Sequence, residues 1–242
     1  MRDSKIAPGV IFATVLLTPA VGLAPAKAAV LEHVSASTPA ADPADLYKTM
    51  APLADYLIKS QADEVALARS AAPSSISAEA EILVLDANGY HRAAAGKNGW
   101  TCMVQRSWND ALDKPDFWNW KIRVPICMNA AASRSVLPVY LERTKWVLAK
   151  RPLPEIVTAT KAHPAPAPEP GSFAVMMSKH GYVADGIGPA GPHVMIYLDV
   201  PASAWAAGLP KSPVGMALPG YKGSDTVFYL DVAKWSDGTS PE

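Results

Sequence analysis

Apolar residues recur along this chain with two different periods, and the places where the period changes divide it into elements. Asp42-Pro43 has the form of a helix start, an N-cap acid followed by proline in the first turn. Leu46, Met50, Leu53, Ala54, Leu57 and Ile58 then fall three and four apart, which predicts an amphipathic helix. A second, shorter helix is expected over Asp63–Ala71, stopped by Pro73. Ile82–Leu85 is a short continuous apolar run, and Asn88-Gly89 and Lys97-Asn98-Gly99 are turn signals. With Tyr90–Ala95 and Trp100–Arg106 they predict a three-stranded antiparallel meander. On its third strand Trp100, Cys102, Val104 and Arg106 share one face, and Thr101, Met103 and Gln105 share the other.

Residues 107–127 lose all period and gather Trp108, Phe117, Trp118 and Trp120 with Pro115 and Pro125. So much aromatic area without regularity predicts an ordered loop folded over the core and pinned at Cys127. Helical spacing returns from Asn129 to Lys150, with Ser133 or Ser135 as the cap and Pro138 confined to the first turn. A brief helix reaching Ala162 follows Pro152 and Pro154. The proline-rich stretch His163–Gly171 reads as an exposed extended loop within one domain. Phe173–Ser178, His193–Val200 and Thr226–Val232 read as strands, Ala202–Ala207 as a helical turn, and Trp235–Gly238 as a tail that turns and frays. Strands and helices that do not alternate as βαβ predict an α+β domain over 42–242. Its antiparallel sheet of five or six strands would be packed by helices from residues 43–71 and 133–150.

The beginning of the chain follows a different logic. Arg2 and Lys5 precede an apolar run from Val10 to Leu23, and Ala26-Lys27-Ala28 places small residues where a signal peptidase reads. Residues 1–28 are therefore expected to be a signal peptide, too short to span a membrane, and 29–41 a flexible lead-in. Cleavage after Ala28 would leave 214 of the 242 residues. It would change 22 basic and 22 acidic residues to 19 and 21 by removing Arg2, Lys5, Lys27 and Asp3. A chain so near neutrality lacks the basic footprint of nucleic-acid binding. In the periplasm or beyond it, Cys102 and Cys127 are expected to form a disulfide, which stabilises by about 3–4 kcal/mol for a loop of this length.

The sequence carries no GxSxG elbow, HExxH helix, phosphate-binding glycine loop or GxGxxG fingerprint. The glycine-rich Gly186–Pro192 leads into a strand and contains two prolines, so it reads as a plain loop. His180 and His193 with Asp185 are too few for a metal centre. A Ser178–His193–Asp199 relay fails because Asp199 lies six residues along the strand from His193, about 20 Å. No metal or cofactor is implied. The remaining candidates are Arg106, Trp108, Arg123, Arg134 and His193, because arginine beside tryptophan suits capture of a small anion. The leading expectation is a periplasmic or secreted binding or accessory protein for such a ligand or for an envelope partner. The alternatives are a hydrolase or transferase using His193 as general base, and an envelope scaffold without a small-molecule site.

The segments ALARSAAPSSIS (66–77), GKNGWTCMVQRSW (96–108), PEPGSFAVMMS (168–178), PHVMIY (192–197) and KWSDG (234–238) resemble a family of uncharacterised exported bacterial proteins. The resemblance implies export and a bacterial origin. It brings no activity, ligand or fold, and no functional residue follows from it.

Overall fold

A computed structural model describes residues 46–163, 165–201, 204, 217–219 (backbone only) and 226–241. The expected leader, the lead-in, the helix start at Asp42-Pro43 and most of Ala202–Ala207 lie outside these residues. The described residues form one compact unit.

The helices are α1 Leu53–Tyr56, α2 Gln61–Arg69, α3 Ser74–Ser77, α4 Ala130–Ser135, α5 Leu137–Leu148 and α6 Leu153–Ala162. The strands are β1 Glu81–Asp86, β2 Gly89–Ala94, β3 Thr101–Gln105, β4 Val124–Met128, β5 Phe173–Met176, β6 His193–Leu198, β7 Ala217–Pro219 and β8 Thr226–Asp231. They form one eight-stranded sheet in the order β2-β1-β3-β4-β5-β6-β8-β7. Every pairing is antiparallel except β1 with β3. The α+β class holds, with two more strands than the longest expectation.

The parallel pair corrects the meander. β1 and β2 do form a hairpin, with Gly89 at φ +117° where the return strand begins. The chain then passes beneath the start of β1 and enters β3 on the other side of it. Lys97 N–H donates to the Glu79 carbonyl, and Glu81 N–H to the Trp100 carbonyl. Gly96 makes the crossing possible, since a Cβ there would lie 2.3 Å from the Glu81 nitrogen. Asn98-Gly99 does form a turn, with Asn98 accepting from Trp100 N–H and Gly99 at φ +77°. That turn serves a crossover, not a hairpin.

Helices cover both faces of the sheet. On one face α2 presents Ala68, followed by Ala71 and Ala72, to Ile82, Val84, Cys102, Val104, Cys127 and Val175. Small side chains let this helix lie close over the strands. Ser60 caps it by accepting from Asp63 N–H at 3.0 Å. On the other face Ala132, Val136, Leu137 and Tyr140 of the α4–α5 region pack on Leu83, Met103, Ile126, Met128, Met195 and Tyr197. The predicted alternation along β3 holds, because Cys102 and Val104 meet α2 while Met103 meets α5.

Several boundaries moved for local reasons. The helix expected to run through Leu57 and Ile58 is interrupted before Leu53, since Pro52 forbids a continuous helix through residues 51 and 52, and it ends at Tyr56, with Leu57 extended. Asn129, not a serine, caps the later helical region by accepting from Ala132 N–H at 2.9 Å. Val136 breaks that region in two so that Pro138 sits in the first turn of α5. β4 was hidden in the aromatic stretch because Pro125 lies inside it. Pro125 is tolerated opposite Val104, outside the stretch where β4 pairs with β5. The Trp235–Gly238 tail turns but is tied down, with Ser236 N–H donating to the Met177 carbonyl.

Cys102 and Cys127 are directly opposite one another on β3 and β4 and form a disulfide, both side chains fully buried. The aromatic excursion begins and ends at this pair of strands. Trp108, Phe117 and Trp118 are buried with Tyr47, Tyr56, Leu85, Val147 and Ile156 in a third core beyond the end of β3.

Candidate functional site

The five candidate residues take up four different situations. Arg106 is 1% exposed. Its guanidinium donates to the Tyr56 carbonyl at 2.7 Å, the Val104 carbonyl at 2.6 Å and Glu64 Oε1 at 2.9 Å. Glu64 is equally buried and also accepts from Leu85 N–H. This enclosed ion pair ties α2 to the ends of β1 and β3. Trp108 lies beside it, fully buried, with its indole N–H donating to Thr144 Oγ1 at 3.0 Å.

Arg123 is half-buried, and its donors go to the carbonyls of Asp55, Trp120 and Ile122. Burial, and then the positive charge of Arg106, lower its pKa to about 10. Arg134 lies at the opposite end of β4 and forms an exposed two-toothed ion pair with Glu169. His193 opens β6, two strands away from β4, and is 6% exposed. Its Nδ1 is 2.7 Å from the Gly191 carbonyl. A carbonyl only accepts, so Nδ1 carries the proton and Nε2 is left buried without a partner among the described residues. The fold thus brings Arg106, Trp108 and Arg123 together, and places Arg134 and His193 elsewhere.

A concave surface with several charged side chains lies in a different place. A groove of about 420 Å³ lies between the end of α2, the start of α3, the turn after β5 and the C-terminal tail. A backbone stitch joins the segments around it: Met177 N–H donates to the Ala71 carbonyl, and the Met177 carbonyl accepts from Ser236 N–H. Arg69, Ser74, Lys179, His180, Ser236 and Asp237 stand around it. Arg69 Nη1 holds the Ser77 and Ala78 carbonyls, the latter at 2.8 Å. Lys179 is ion-paired with Asp237.

Ser70 and Ser178 form a hydroxyl chain at one wall. Ser70 donates its single proton to the Leu67 carbonyl at 2.6 Å. Ser178 must therefore be the donor in the 2.6 Å contact between the two hydroxyls, and it accepts in turn from His180 N–H at 3.1 Å. The chain ends on a carbonyl, which takes no proton, so neither oxygen is activated as a nucleophile. The surrounding cations and free hydroxyls suit binding of an anion.

A third polar cluster joins distant segments. Asp185 accepts from the hydroxyls of Tyr47 and Tyr182 and from Lys121 Nζ, the last at 3.1 Å. The Tyr182 and Tyr47 hydroxyls, then Lys121, lower its carboxyl pKa to about 2. Among the described residues no three His, Cys, Asp or Glu side chains are grouped to hold a metal ion. Nor, among these residues, is any helix long and apolar enough to cross a membrane.

Arg69, Lys179 and Asp237 were not among the residues singled out from sequence. Arg69 and Lys179 stand 110 positions apart, and Lys179 and Asp237 stand 58 apart, so no local spacing relates them. The chain matches no protein-family model, no curated protein and no solved structure.

Proposed function

We propose that the protein is an exported binding or accessory protein of the periplasm or extracellular medium, and that the groove beside α2 takes a small anionic ligand. The groove carries this reading. It gathers Arg69, Lys179, His180 and several serine hydroxyls around a concavity whose volume falls in the range of small-molecule sites. The buried Cys102–Cys127 disulfide supports the oxidising compartment that the leader-like first 28 residues imply. Two of the five segments that carry the family resemblance, 66–77 and 234–238, contribute residues to this groove.

The test is ligand-induced thermal stabilisation by small anions, with wild-type protein compared against Arg69→Gln/Lys179→Gln. Stabilisation of the wild type that vanishes in the double variant is the expected result. Equal stabilisation of both proteins would move the site elsewhere. A wild type that no anion stabilises would refute the reading. Recovery from the envelope of protein that begins near residue 29, with no alkylatable thiol, tests export.

A further inference from the structure

We infer that Asp237 is an internal stand-in for the ligand's own anionic group, that the ligand is a small phosphate monoester, and that binding exchanges the Asp237 carboxylate on Lys179 for phosphate oxygens. The inference rests on the proposed binding role of the groove and adds to it the ligand class and a built-in competitor.

Asp237 is the single acidic side chain among the described residues that line the groove. The chain itself sets its position. Gly238 takes φ +85° to close a tight turn, with its N–H donating to the Trp235 carbonyl. Asp237 Oδ1 accepts from Thr239 N–H at 3.0 Å and from Thr239 Oγ1 at 2.6 Å. That leaves Oδ2 turned to Lys179 Nζ. Lys179 and the two Thr239 donors hold the Asp237 carboxyl well below the ordinary carboxylate range, so it is an anion at any physiological pH. The pair is open to water, with side-chain exposures of 41% and 43%. Such exposed pairs contribute little and exchange partners readily.

Several other donors around the groove are uncommitted. Arg69 uses only Nη1, which leaves its Nε and Nη2 without a partner among the described residues. The hydroxyls of Ser74 and Ser236 and the ring of His180 have no partner there either. Lysine and arginine poles with hydroxyls between them offer more donors than the two oxygens of a carboxylate can occupy. A phosphate monoester presents three terminal oxygens and close to two negative charges. Phe, Tyr and Trp are absent from the described residues that line the groove, so the remainder of the ligand is small.

Calorimetric titration with glycerol phosphate, inorganic phosphate, sulfate and acetate tests this on the full-length oxidised protein and on Asp237→Asn. Asparagine keeps the Oδ1 acceptor for Thr239 and removes the charge. Glycerol phosphate should bind the wild type, and Asp237→Asn should bind it about three- to fivefold tighter, the size of an exposed ion pair. Lys179→Gln should weaken binding about tenfold or more, as expected for loss of a charge-assisted hydrogen bond. Unchanged or weaker binding by Asp237→Asn would overturn the internal competitor and leave the groove as the site. Binding of acetate but not phosphate would overturn the ligand class alone. Capture of phosphatidic acid vesicles without soluble glycerol phosphate would also overturn it, in favour of a membrane surface. Absence of binding by any anion would remove the proposed function itself. As a second reading independent of the variant's folding, the Asp237 side-chain carboxyl ¹³C resonance of the wild type should move as glycerol phosphate is added. A stationary resonance during binding would overturn the exchange.

Discussion

Arg106 and Arg69 are the same kind of side chain, near the two ends of one helix, with opposite uses. Arg106 reaches α2 at Glu64 and is sealed from water, its charge met by a carboxylate and its donors by carbonyls. Arg69 ends α2, reaches solvent, and keeps two nitrogens unengaged over a groove. A guanidinium whose partners are all protein atoms contributes to the fold. One with spare donors above a concavity is available to a ligand. The difference lies in enclosure, not in residue type or neighbouring aromatics.

The sharpest way to break this comparison is to unpair the buried site. Glu64→Ala leaves the Arg106 charge enclosed without a counter-ion and should cost about 3–5 kcal/mol in denaturant unfolding. Trp108→Ala, which empties the adjacent core, should cost about as much. A loss below 1 kcal/mol in both would mean that the aromatic end of the molecule is not sealed. Cys102→Ala/Cys127→Ala should lower stability by about 3 kcal/mol, since it frees a 25-residue separation between β3 and β4. Proteolysis should then begin within residues 107–122.

Groove substitutions should behave in the reverse way. Arg69→Gln/Lys179→Gln should leave unfolding within about 0.5 kcal/mol of wild type while removing anion binding. A large loss of stability there would erase the distinction between the two arginines. The smallest effect is expected at Asp185, where the Tyr182 and Tyr47 hydroxyls, then Lys121, lower the carboxyl pKa from 3.8 to about 2. A lowered native pKa stabilises above the unfolded value, so this contribution is complete above about pH 4 and fades as pH falls toward 2. Melting temperatures of wild type and Asp185→Asn should therefore differ near neutrality and converge in that window; a constant difference down to pH 2 would exclude the carboxylate as the cause.

Periodic features of the chain were legible wherever a local rule governed them. The α2 helix, the β1–β2 hairpin and the face alternation of β3 follow from spacing and turn residues, and the buried Trp108 loop from its aromatic area. The crossover into β3 was not legible, because Asn-Gly closes a turn equally well in a hairpin or a connection. The deciding feature is Gly96 passing against Glu81, a contact between chain segments. β4 was concealed by Pro125, whose missing N–H is harmless only because of where β5 stops. The candidate arginines were legible as arginines, and their fates were not.

What the residues alone determined here is short-ranged: the class of the fold, most helices and strands, and a cysteine pair expected to form a disulfide. What the tertiary structure decided is which charged groups lose water. Desolvation depends on every segment packed around a side chain, and at Arg106 those segments come from residues 56, 64 and 104. At the groove, residues 69, 179 and 237 meet through a backbone stitch at Met177. No spacing along the chain encodes that meeting, because it exists only once the sheet has closed.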